Sequence, residues 1–141
     1  MKTFSTSVNK MNTSSKLIFS IIYLIVDICW ITTMSKLFYK ENIEIIQKSI
    51  MKPKIIPAIL AYLTLLVCMF YICIPLSKQY EEKHEAHPSI IFGLVGFIMY
   101  AIYNFTNGTI FTNYTWQFMC IDTLWGTLSF SVFGLLYTYL R

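Results

Sequence analysis

The sequence predicts an all-α polytopic membrane protein: a four-helix transmembrane bundle with a short interfacial helix between the first and second spans. Three observations predict it. Of 141 residues, 56% are hydrophobic and only 13% charged, and the mean hydropathy is +0.58, too apolar for a soluble domain of this size. Four apolar stretches, at about 17–34, 55–76, 90–105 and 115–140, approach or exceed the ~20 helical residues that cross a hydrocarbon core. The polar segment 35–54 between the first two carries apolar residues at helical spacing. Residues 16–141 are thus expected to form a single four-span domain behind a mobile polar tail, 1–15, which is rich in Ser, Thr, Asn and Lys and has no hydrophobic periodicity. No small-residue cleavage site follows the first apolar run, so it is read as a span and not as the core of a signal peptide.

The first span opens after Lys16, whose ammonium can reach the headgroups along its own aliphatic stem. At ~1.5 Å per residue, Asp27 lies about 15 Å past Leu17, near the bilayer midplane. Ser20, Tyr23, Asp27, Trp30 and Met34 share one face. An acid facing lipid costs about 3 kcal/mol even on insertion scales, so this face is expected to turn inward. In the segment 35–54, Tyr39, Ile43, Ile46 and Ile50 recur at helical spacing among five lysines, a pattern for a helix lying in the headgroup region or for a solvated loop. The second span begins near Pro53 and Pro57 and is expected to end near Pro75; with Thr64 alone as a polar group in mid-run, it reads as packing surface without chemistry.

Residues 77–88 hold Glu81, Glu82, His84, Glu85 and His87, the densest group of metal-ligand types in the chain. His84-x-x-His87 lacks the i, i+4 spacing of a zinc-protease helix, and the segment reads as a solvated acidic loop. Cys29, Cys68, Cys73 and Cys120 all lie in apolar runs, where cysteine serves as a small hydrophobe. No cofactor or metal is expected, and no nucleophile or cofactor motif marks a catalytic site.

The third span carries Gly93-x-x-Gly96, small residues that let a neighbouring helix come close. Gly96, Tyr100, Asn104 and Asn107 follow on one face, and buried amides in a membrane need partners. The connection to the fourth span is short and uncharged, so the two spans form a tight hairpin; three Asn-x-Thr matches in and beside it lie too near the membrane to expect glycosylation. The fourth span places Met119, Asp122, Trp125, Gly126, Ser129 and Phe133 on one face. Asp122 and Asn104 then lie at similar depth, roughly 10 Å below the hairpin, with Asp27 about 5 Å deeper. Asp27, Trp30, Tyr100, Asn104, Asn107, Asp122 and Trp125 are therefore the candidate ligand-binding residues, in a polar pocket off the membrane centre.

Two Asp-x-x-Trp repeats, Asp27-Ile28-Cys29-Trp30 and Asp122-Thr123-Leu124-Trp125, together with Tyr100-Ala101-Ile102-Tyr103-Asn104 and Trp116, give the chain its resemblance. In this order and spacing, with Phe38-Tyr39 and Ile74-Pro75, they resemble the DUF2177 family of small four-span membrane proteins from about residue 17 to 141. The resemblance implies the four-span fold but no reaction, and it associates the chain with membrane lipid metabolism, since some bacterial relatives are encoded near lipid-modifying enzymes. The family's third-span motif typically reads Tyr-Asp-Leu-Thr-Asn; Asn104 stands here in place of that acid, which moves the expectation from proton relay toward binding.

Two intramembrane acids in low dielectric can hold or pass a proton, or can clamp helices through hydrogen bonds. The expected function is a lipid- or small-ligand-binding accessory protein, with a small proton-linked transporter and a purely structural membrane protein as alternatives. The expected partners are a membrane lipid, a lipid-modifying enzyme and a second copy of the chain, with no nucleic acid. Lysine and arginine are nearly evenly divided between the two sides, and the uncharged hairpin is the easiest segment to translocate, so both termini are expected in the cytoplasm.

Overall fold

Four helices, each long and apolar enough to cross a membrane, make up the described residues: α1 (Thr13–Gln47), α2 (Ile55–Glu82), α3 (Pro88–Ile110) and α4 (Trp116–Leu140). The computed structural model describes residues 11–141, so the tail expected over 1–15 falls mostly outside the described residues. Its last residues begin the first helix: Asn12 Oδ1 accepts the Ser15 N–H at 2.7 Å, capping a helix that starts before Lys16. Comparable caps start the other two well-marked helices. The His87 ring accepts the Ser89 N–H ahead of Pro88, and Thr115 Oγ1 accepts the Phe118 N–H.

The expected separate interfacial helix is absent, and α1 runs on through Ser35–Tyr39, a π-helical turn, into Lys40–Gln47. The reason lies in the sequence: no glycine or proline occurs before Pro53, so nothing stops the helix until Lys48 takes a left-handed conformation at φ 53°. The π-turn also sets direction. Twelve residues separate Asp27 from Tyr39, which in a regular helix turns them about 120° apart; the extra residue absorbed by the π-turn leaves about 20°. Tyr39 thereby stays on the inward face.

The second helix does not end at Pro75 either. It passes through a π-turn at Met69–Cys73 and continues to Glu82, so the loop expected from residue 77 shrinks to 83–87. Proline lacks an N–H and crowds the carbonyl four residues back, and a π-turn immediately upstream relieves both.

Helices α3 and α4 pack most closely, through glycines. A Cβ on Gly96 would lie 2.8 Å from the Phe130 side chain and closer still to the Gly126 carbonyl, and one on Gly134 would lie 2.6 Å from the Ser89 backbone. Without a hydrophobic drive between helices in lipid, this close approach supplies the van der Waals contact that holds the pair. Around it α1 lies against α4 and the C-terminal part of α2 against α3. Phe19 meets Phe133 edge-on at 5.4 Å, Tyr23 meets the same ring at 5.0 Å, and Phe70 of α2 closes the group on Phe19 at 5.6 Å. This apolar core fills the half of the bundle nearer the termini, where Arg141 makes a two-pronged ion pair with Glu81 and joins the ends of α4 and α2. The other half, toward the hairpin at residues 111–115, is polar inside.

Candidate functional site

The hairpin half of the bundle holds both acids. Asp27 is 3% exposed, and its Oδ1 accepts the indole N–H of Trp125 at 2.9 Å, so the acid of the first Asp-x-x-Trp repeat binds the tryptophan of the second. Trp30, the other tryptophan, stacks on Trp125 with centroids 4.1 Å apart and planes 1° from parallel. Its own indole N–H donates to the Tyr39 hydroxyl at 3.4 Å, and that hydroxyl donates to Asp122 Oδ1 at 3.1 Å. The two repeats are thus cross-connected, one link direct and the other through a tyrosine.

Asp122 is held from α3 as well. Asn104 is fully buried; its amide nitrogen donates to Asp122 Oδ2 at 2.8 Å and to the Tyr100 carbonyl at 2.9 Å, while its oxygen accepts the Tyr114 hydroxyl at 2.6 Å. The reversed amide would set its oxygen against two acceptors, so this orientation is the only one that satisfies every group. Both donors reaching Asp122 therefore point at its oxygens. Among the described residues no lysine, arginine or histidine pairs with either acid.

Depth follows from the helical rise. Asp122 stands two turns into α4, roughly 9 Å from its start, and Trp125 stands one turn deeper and carries Asp27 with it. Beside this network lies a cleft of about 400 Å³, lined by Ala61, Thr64, Leu65, Met99, Tyr100, Tyr103 and Asp122. It opens sideways between α2 and α3, because the N-terminal part of α2, Ile55–Cys68, stands apart from the bundle with Ile59, Leu60 and Leu63 more than half exposed. Asp122 forms its polar floor.

Four spans, the paired Asp-x-x-Trp repeats and the asparagine between them are now placed, and a protein family described as "Predicted membrane protein (DUF2177)" matches residues 13–139. The chain belongs to this family. No curated protein and no solved structure matches it. The structure of this DUF2177 member brings together Asp27, Trp30, Asn104, Asp122 and Trp125 in one hydrogen-bonded and stacked group, with Tyr100 between that group and the cleft. Asn107 joins at one remove: its side chain lies beside Tyr114, whose hydroxyl donates to Asn104, while its carbonyl accepts the Phe111 N–H.

Sequence reasoning missed four participants. Its sequence position puts Tyr39 in an interfacial helix or solvated loop, because the π-turn that rotates it inward has no signal in hydrophobic periodicity. Tyr114 sits in the hairpin, inside one of the Asn-x-Thr matches, and folds back over Asn104. The second span, read as inert, contributes Tyr62 beside Asp27 and Thr64 to the cleft. The excess of aromatic hydroxyls, ten tyrosines in 141 residues, was the available clue.

Proposed function

We propose that the protein binds a membrane lipid or similar amphiphile in the lateral cleft and acts as an accessory to membrane lipid metabolism. The observation that carries this is the cleft itself: about 400 Å³, with apolar walls, Asp122 at the inner end and its mouth opening sideways between α2 and α3. That volume lies within the about 300–1,000 Å³ typical of small-molecule sites, which combine apolar walls with a few placed polar groups. A lipid can enter sideways without leaving the bilayer.

A proton relay between the acids has less support. The connection from Asp27 to Asp122 runs through two indoles, and an indole N–H donates but cannot accept, so no proton hops along it. The partners that go with a lipid-presenting role are a lipid-modifying enzyme and a second copy of the chain. In this reading both termini lie in the cytoplasm and the uncharged hairpin, the easiest segment to translocate, lies outside.

The test is mass spectrometry of lipids retained by the purified protein. The wild type is expected to retain lipid that Ala61→Phe, which narrows the mouth from an exposed position, does not. Equal retention by the two proteins would sink the proposal.

A further inference from the structure

We infer that the ligand of the cleft is recognised through hydrogen-bond donors on its polar end, a hydroxyl or a primary ammonium; this rests on the lipid-binding reading above. The groups facing the cleft decide it. Asp122 accepts one bond on each oxygen, from Tyr39 and from Asn104, and a carboxylate has about four acceptor positions, so lone pairs remain for further donors. Thr64 uses its hydroxyl hydrogen on the Leu60 carbonyl at 2.8 Å, which leaves its oxygen as an acceptor. Tyr100 and Tyr103 can act either way, and Ala61, Leu65 and Met99 are apolar. Among the described residues no lysine, arginine, histidine or side-chain amide lines the cleft. A phosphate or an ester carbonyl finds only phenols there and meets the oxygens of Asp122, whereas an N–H or O–H finds a carboxyl at the floor and a threonine oxygen on the α2 side. The aromatic faces of Tyr100 and Tyr103 add attraction for an ammonium in particular.

Depth narrows the source. Asp122 lies roughly 9 Å from the start of α4, on the hairpin side of the bilayer midplane. A free glycerol hydroxyl reaches that level directly, and a headgroup ammonium reaches it by folding back.

The experiment uses the full-length protein in detergent and four lipids in two matched pairs, displacing a fluorescent lipid. Phosphatidylethanolamine and phosphatidylcholine with the same acyl chains differ only in having N–H donors or N-methyl groups. Diacylglycerol and its acetylated form differ only in the O–H. The donor member of at least one pair is expected to bind about tenfold tighter, equivalent to about 1.4 kcal/mol. The pair that shows the preference names the source. Thr64→Val, at an exposed position that leaves the fold intact, is expected to reduce that preference several-fold, and Asp122→Asn to abolish it. Equal binding within both pairs overturns the donor rule while leaving lipid binding in place. No binding of any of the four overturns both.

Discussion

Asp27 and Asp122 are each held by donors from other helices, and the tightness of that hold decides what a single substitution costs. Trp125→Phe keeps a ring to stack on Trp30 but removes the N–H that Asp27 accepts, leaving a buried acid short of a partner. Asp27→Asn keeps an oxygen for Trp125 and turns an amide toward the Tyr62 hydroxyl. Trp125→Phe is therefore expected to be the more damaging of the two, by about 1 kcal/mol, the usual scale of interhelical hydrogen bonds in membranes. Thermal unfolding of both variants in the same detergent checks the order; the reverse order would mean that the charge at Asp27, and not its hydrogen bond, supports the fold. Tyr39→Phe is a second probe. The ring stays against Phe118 at 5.0 Å, yet the Trp30 N–H and Asp122 Oδ1 each lose a partner, and a loss of about 1–2 kcal/mol is expected in the same measurement. A wild-type melting temperature in this variant would show that the tyrosine bridge carries no energy.

Among the helices, the α3–α4 contact distinguishes glycines that look alike in the sequence. A methyl at Gly96 meets the Gly126 carbonyl, which is backbone and cannot move aside, while one at Gly93 meets mainly the Ser131 hydroxyl, which can rotate away. Gly96→Ala is expected to cost about 1–3 kcal/mol, as overpacking commonly does, and Gly93→Ala distinctly less, in parallel unfolding titrations. The π-turn of α1 permits a sharper test of register. Removing exposed Leu37 deletes the extra residue and leaves Tyr39 facing Asp122, whereas inserting one alanine after it rotates Tyr39 away by about 100°. The deletion is expected to retain near-wild-type stability and the insertion to lose as much as Tyr39→Phe. This is also where legibility from sequence stops. Asp27, Trp30, Asn104, Asp122 and Trp125 could be grouped from period and depth, since 3.6-residue spacing and 1.5 Å rise hold along regular helix. Tyr39 could not, because a single extra residue in a π-turn resets the period without any glycine or proline to announce it. Pro75 misled for the complementary reason: it signals an end to α2, and an upstream π-turn cancels the signal.

For the molecule as a whole, the membrane boundary follows from how α1 and α4 are paired. Phe38 and Tyr39 pack against Phe118, in the first turn of α4, so Lys40–Gln47 rises beyond the level of Phe118 by about 12 Å. That extension carries Lys40, Glu41 and Glu44, and Glu44 accepts the Met51 N–H at 2.9 Å, which folds the following loop back along it. The whole of α1, at 35 residues or about 52 Å, exceeds a ~30 Å hydrocarbon core by more than the polar turns can hide in it. The extension therefore stands in water or among headgroups, on the same side as residue 113 of the hairpin and opposite to residue 84. With the four native cysteines replaced, Glu41→Cys and Asn113→Cys are expected to react from one side of a sealed membrane with an impermeant maleimide. His84→Cys is expected to react only from the other side, and Ile25→Cys, on the lipid face of α1, from neither. If the termini are cytoplasmic as proposed, the first pair reacts in intact cells. Labelling of Glu41→Cys and Asn113→Cys from opposite sides would contradict the four-span arrangement itself, whereas labelling of both only after permeabilisation would reverse the orientation and leave the bundle, its cleft and the position of Asp122 unchanged.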